Sequence, residues 1–164
     1  MIRGEALHPA EDNDVARTDL DLDEFLPYRM SVATNAVSQV IATAYEQRFG
    51  LKAPEWRVVA VLAQEGELTQ QGLVRRTNMD KVSVSRAAQG LAQRGLVSRT
   101  PDPQDARSLR LTLTAEGRGL HRKLAPVILE LERHLVAELG AGEVAQLKEM
   151  LRRLQAAAEA ILAK

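Results

Sequence analysis

Lys81, Val82, Ser83, Ser85, Arg86 and Gln89 lie close together, and their types suit a nucleic-acid groove. Arg and Gln can bond base edges, Ser suits phosphate or base, and Val methyls can meet a thymine methyl. Asp80 stands ahead of them as an N-cap, which puts Lys81 and Ser83 in a first helical turn, where phosphate binds well. At about 100° per residue, Val84, Ala87, Ala88 and Leu91 fall on one side of such a helix. Val82, Ser85, Arg86, Gln89 and Gln93 fall on the other, and Gly95 ends it. An ordinary amphipathic surface helix has the same periodicity, so the neighbouring elements must decide.

Those neighbours make a pattern. Residues 96–100 read as a strand. Residues 100–107 hold two prolines and two aspartates and read as a turn, and residues 109–113 alternate as a second strand. Arg99, Arg107 and Arg110 ride on this hairpin. Upstream, residues 68–76 read as a Thr-capped helix ending in Arg75 and Arg76, with Thr77 and Asn78 turning into the next helix. The expected fold is mainly α with a small β-hairpin wing, a winged helix-turn-helix.

The residues then resemble a known family. Asp80-Lys81-x-x-Val84-Ser85-Arg86, Leu91-x-x-Arg94-Gly95-Leu96-Val97-x-Arg99, Asp102-Pro103-x-Asp105-x-Arg107-Ser108 and Leu113-Thr114-x-x-Gly117 follow in order. Together they resemble the MarR family of bacterial transcription regulators, from about Phe25 to the C-terminus. The resemblance implies double-stranded DNA as partner. Ser85, Arg86 and Gln89 would reach base edges in the major groove, while Lys81, Ser83 and Arg75 or Arg76 would meet phosphates. Arg107 would enter the minor groove from the wing tip, with Asp105 holding it or the wing base in place. A twofold homodimer built from both chain ends would read a pseudo-palindrome with half-sites about one turn apart. Similar proteins bind small, often aromatic, carboxylates and release DNA. Leu26-Pro27-Tyr28-Arg29-x-Ser31 and Asn35 resemble a sub-branch sensing hydroxycinnamate-type compounds or their coenzyme A thioesters. By that resemblance Arg29 pairs with an anion, Ser31 and Asn35 add hydrogen bonds, and Trp56 forms an apolar wall. Structural roles for these four residues remain open.

Composition is compatible with this reading. The 164 residues are 45% hydrophobic, enough for a sizeable core. With only two Phe, two Tyr and one Trp, Leu, Val and Ala must fill most of that core. Net charge is zero, yet residues 1–24 are strongly acidic. Residues 75–110 hold Arg75, Arg76, Lys81, Arg86, Arg94, Arg99, Arg107 and Arg110 against Asp80, Asp102 and Asp105. With no Cys, disulfides, zinc-thiolate sites and thiol redox sensing are excluded. His8, His121 and His134 have no metal-ligand spacing, His121 reads more readily as a helix-surface residue than as one facing the interdomain region, and Gly4, Gly50 and Gly66 are isolated. No cofactor, metal or enzyme activity is expected. No apolar run suits a membrane, and no signal core opens the chain, so a cytoplasmic protein is expected.

The remaining elements supply support. Residues 1–22 are expected to form an acidic flexible tail. Residues 23–50 and 115–164 form a helical dimerisation region, and residues 51–114 the winged DNA-binding domain. A long helix runs from Asp21 or Asp23 to about Arg48, with Pro27 in its first turn or at a kink. Pro54 opens the next helix, whose Trp56 reads as core, interface or ligand wall. Thr114 caps a helix to about Leu139 that Pro126 should kink. A last helix, 143–162, carries Val144, Leu147, Leu151, Leu154, Ala158 and Ile161 on one stripe that needs a partner. Two other functions remain open: a ligand-independent or architectural DNA-binding protein, and a helical protein–protein adaptor.

Overall fold

The computed structural model describes residues 20–103 and 105–163, without the side chains of Ala106 and Arg107. The tail expected over residues 1–22 therefore lies almost wholly outside the described residues. The order is α1 (Leu26–Phe49), α2 (Ala53–Glu65), β1 (Glu67–Thr69), α3 (Gln70–Thr77), α4 (Lys81–Gln93), β2 (Val97–Asp102), β3 (Asp105–Leu113), α5 (Ala115–Leu135) and α6 (Ala141–Leu162). The chain divides into two compact units, Met1–Asn35 and Ala36–Lys164, and the division falls inside α1. In the first unit the Asp23 amide donates to Asp21 Oδ1. The Tyr28 and Arg29 amides donate to the Phe25 carbonyl, which places Pro27 in the first turn, where it has no amide to lose.

In the second unit, local chemistry sets most element ends. Glu55 folds back onto the Lys52 amide at 2.9 Å to start α2, and Gly66 stops it at a φ of 84°. Thr69 Oγ1 accepts from the Gly72 amide and caps α3. Asn78, the one non-glycine residue at positive φ among those described, turns the chain into α4. Leu51, Val58, Val59, Leu62, Leu73, Val84, Ala87, Ala88, Leu91, Leu111, Leu113 and Leu124 are buried between the helices and the sheet. Tyr45 is the lone aromatic among the described core residues, as the composition implied.

The sheet has three strands, not two. The order is β1-β3-β2, all antiparallel, and β1 is a three-residue strand pairing Glu67 with Thr112 and Thr69 with Arg110. The turn is also tighter than the expected 100–107 loop, because the strands run on to Asp102 and resume at Asp105. Pairing then jumps from Pro101↔Leu109 to Asp102↔Asp105, so Ala106, Arg107 and Ser108 are extra residues in a bulge on β3. At the other end, α5 stops at Leu135 rather than about Leu139, and α6 starts at Ala141.

Candidate nucleic-acid interface

The outward face of α4 is set by what its other face buries. Val84, Ala87, Ala88 and Leu91 are all buried, as the periodicity required. Lys81, Val82, Arg86, Gln89 and Gln93 are therefore turned to solvent, with Ser85 and Ser83 half-buried. Val82 is 57% exposed, an apolar side chain left in solvent on this face. Asp80 Oδ1 accepts from the Ser83 amide at 2.8 Å, and Asp80 Oδ2 from the Ser83 hydroxyl at 2.6 Å. The Ser83 hydroxyl hydrogen bond, then that of its amide, holds the Asp80 carboxyl below its ordinary pKa. Ser83 consequently spends its hydroxyl proton on the cap, and its lone pairs cannot donate to a phosphate. The phosphate role expected of Ser83 has to come from the turn it helps to form.

The basic field is smaller than the sequence count. Arg76 is bound to Glu65 on α2. Arg94 donates to the Gly50 and Phe49 carbonyls at 2.9 and 3.1 Å and stands 3.6 Å from Glu55, so it caps the end of α1. Arg110 Nη1 donates to Glu67 at 2.8 Å, and its Nε lies 3.2 Å from Asp102 Oδ2. Glu67 first and Asp102 second push the Arg110 pKa above its ordinary value. These three arginines hold elements together. Arg75, Lys81, Arg86 and Arg99 are exposed and in no ion pair among the described residues. Asp105 is exposed at the start of β3. Arg107 lies on the bulge, with its side chain outside the described residues.

A cleft of about 560 Å³ joins these pieces. Gln70, Gln71 and Val74 of α3, Lys81 of α4, and Asp105, Ser108 and Leu109 of β3 line it. Gln70, Gln71 and Ser108 were missed from sequence, although the two glutamines directly follow the Thr69 cap and so had to stand at an open helix start.

The expected effector residues are distributed differently. Ser31 and Asn35 are exposed, one helical turn apart on α1. Arg29 lies about 160° round the helix from Ser31, and it pairs with Asp23 at 3.8 Å. Trp56 belongs to the other unit. It is half-buried, with His121 stacked on it at 5.9 Å and Tyr45 tilted against it at 6.3 Å. His121 is therefore not the surface residue expected of it. Among the described residues no His, Cys, Asp and Glu group could hold a metal, and no helix is long and apolar enough to cross a membrane.

A sequence profile described as MarR family matches residues 49–108. The chain is 28% identical over 130 residues to the HTH-type transcriptional repressor Rv2887 of Mycobacterium tuberculosis, covering 79% of this chain and 91% of that one. It is 29% identical over 105 residues to the homoprotocatechuate degradative operon repressor of Escherichia coli, covering 64% and 71%. The structure of the PcaV transcriptional regulator of Streptomyces coelicolor, solved in complex with its natural ligand, superposes with a TM-score of 0.71. The two share 27% identity over 85% of this chain and 98% of that one.

Proposed function

We propose that the chain is a DNA-binding transcription regulator of the MarR type and not an enzyme, acting as a homodimeric repressor released by a small aromatic effector; the MarR-family profile over residues 49–108 and the likeness to a named HTH-type repressor support this reading. The observation that carries the DNA side is the sorting of α4, whose Val84, Ala87, Ala88 and Leu91 are buried while Lys81, Val82, Arg86 and Gln89 stay in solvent. Arg86 and Gln89, with Ser85, read base edges. Lys81 and Arg75 grip phosphates, and Gln70, Gln71 and Ser108 border the cleft through which a strand passes towards the wing. Arg76 contributes less than the sequence suggested, because Glu65 already neutralises it. Arg99 and Arg107 are the wing's cations, and Arg107 enters the minor groove.

Residues 23–50 and 115–164 form the dimerisation region in this reading, which is supported by the absence of any buried residue on α6. Two copies then address a pseudo-palindromic duplex. The effector is a small aromatic carboxylate or aromatic acyl-coenzyme A thioester. One relative, named as a homoprotocatechuate degradative operon repressor, supports that class, and another, solved with its natural ligand, supports only that such a fold binds a ligand. Arg29, Ser31, Asn35 and Trp56 are the residues assigned to it. Arg29 would first have to leave Asp23, a weak exposed pair.

The test starts from duplexes selected by the wild-type protein out of a random library. Binding should weaken steeply with salt, as a phosphate-gripping dimer must. Arg86→Ala should relax base preference at one position per half-site, costing about 1–3 kcal/mol for the preferred base. A uniform loss across all sequences would make Arg86 a phosphate contact instead. Thermal melting with hydroxycinnamates, hydroxybenzoates and their coenzyme A thioesters tests the effector. At least one should raise Tm and release the duplex. If none does, the ligand-independent regulator stands in its place, and salt-insensitive binding would leave only the adaptor.

A further inference from the structure

Arg110 stands at the middle of the sheet, on β3, opposite Thr69 of β1 and Thr100 of β2. Alternation along a strand puts Glu67 on the same face as Thr69, and Asp102 follows Thr100 by the same step. One guanidinium thus reaches both outer strands: Nη1 donates to Glu67 at 2.8 Å, while Nε is buried, makes no hydrogen bond among the described residues, and stands 3.2 Å from Asp102 Oδ2 as an ion pair. Asp102 is 7% exposed and sits where the strand pairing jumps. Beyond that jump lies the bulge carrying Arg107.

We propose that Arg110 is a positioning residue for DNA binding, clamping β1, β3 and β2 so that the bulge is held at the angle from which the wing reaches the duplex. The inference rests on the DNA-binding reading above. Arg110 makes no DNA contact itself. Carboxylates on both outer strands already engage its guanidinium, which leaves it little to offer a phosphate. Its geometry also explains why the residue is arginine. A planar fork can address two carboxylates in different directions, whereas a lysine ammonium is a point charge on a flexible stem. Bulges re-aim side chains, and this one begins directly after Asp105, the strand partner of the buried Asp102, so it turns with whatever holds that carboxylate.

Positioning and direct contact predict opposite results. Glu67→Ala removes a negative charge near DNA. If Arg110 touches phosphate, that change frees it and binding tightens. If Arg110 is a clamp, Glu67→Ala loosens the wing, and binding to the selected duplex weakens by about tenfold. Arg110→Lys keeps the charge and should weaken binding to the same degree. The decisive cycle adds Arg107→Ala, which should lower affinity clearly in the wild-type background and barely in Arg110→Lys, because the two act through one contact. Melting curves of each variant, with circular dichroism, identify any that fails to fold. Glu67, nearly half exposed, keeps the test alive if Arg110→Lys is lost. Tighter or unchanged binding by Glu67→Ala overturns the clamp, as does an undiminished effect of Arg107→Ala beside Arg110→Lys. Salt-insensitive binding by the wild-type protein would instead defeat the DNA reading beneath it.

Discussion

A chain carrying both Leu151→Glu and Leu154→Glu should be a monomer in solution and bind the full duplex about a hundredfold more weakly, or worse. The reason lies in what α6 leaves uncovered. It is 22 residues long and buries none of them in its own chain. Leu147, Met150, Leu151 and Leu154 are 40%, 51%, 46% and 39% exposed, and Ile161 is 72% exposed. An apolar stripe of that length in water is the surface that the second copy of the proposed dimer would cover. Two adjacent carboxylates would have to be desolvated against an apolar partner, which costs far more than the contact returns. The core built from Leu62, Leu73, Leu91 and Leu111 includes no residue of α6, so the winged part should keep its fold. Linking two reading heads multiplies affinity by about 10²–10⁴ over either alone, and uncoupling them forfeits that factor. Sedimentation equilibrium and binding to whole and half sites give the readout: the variant's affinity for the whole site should fall to that for a half-site. A variant that stays dimeric, or a wild-type chain that is monomeric, would leave the stripe without this role.

Sequence reading succeeded where the determinant was local. Asp80, Thr69 and Thr114 each cap the helix that follows them, because a short oxygen-bearing side chain beside bare amides has one best use. Gly66 and Gly95 stop helices by adopting positive φ. The inward residues of α4 were legible from spacing alone. What failed was long-range. β1 has three residues and exists because β3, more than forty positions later, accepts it as a partner. The pairing of Arg76, Arg94 and Arg110 with Glu65, Glu55 and Glu67 depends on tertiary neighbours, so the charge count overstated the field at the interface. His121 looked like a surface residue because nothing near it in sequence announces Trp56. The separation of Arg29 from Ser31 is a different case. Two positions apart on a helix already means nearly opposite sides, so that conflict was readable before any coordinates.

Gly117→Ala and Gly119→Ala, the same substitution two residues apart on α5, should move stability in opposite directions. A Cβ built on Gly117 falls 2.0 Å from the Leu96 carbonyl oxygen, 3.1 Å from its carbon and 3.2 Å from Leu113 Cδ2. The oxygen belongs to the backbone and cannot rotate away. It also accepts from the Thr114 amide at 3.1 Å, while the Thr114 hydroxyl donates to the Gly95 carbonyl and caps the Gly117 amide. The first turn of α5 is thus pressed onto the segment between α4 and β2, and Gly117 is the gap that permits it. Forcing a methyl into a packed site costs about 1–3 kcal/mol, and a rigid obstacle at this distance puts the cost at about 3 or above. In a chain of this size that lowers Tm by about 10 °C. Gly119 meets nothing within 4 Å and lies in the helix interior. There alanine should add about 0.5–1 kcal/mol, since it lowers the entropy lost on folding. Urea unfolding of both variants measures the two signs together. Gly117→Ala should also weaken duplex binding, because any retreat of Leu96 moves the strand that leads into the wing. Equal stabilities for the two variants would mean that α5 can lift off Leu96 without cost, and the tight junction between reading helix, wing and α5 would lose its support.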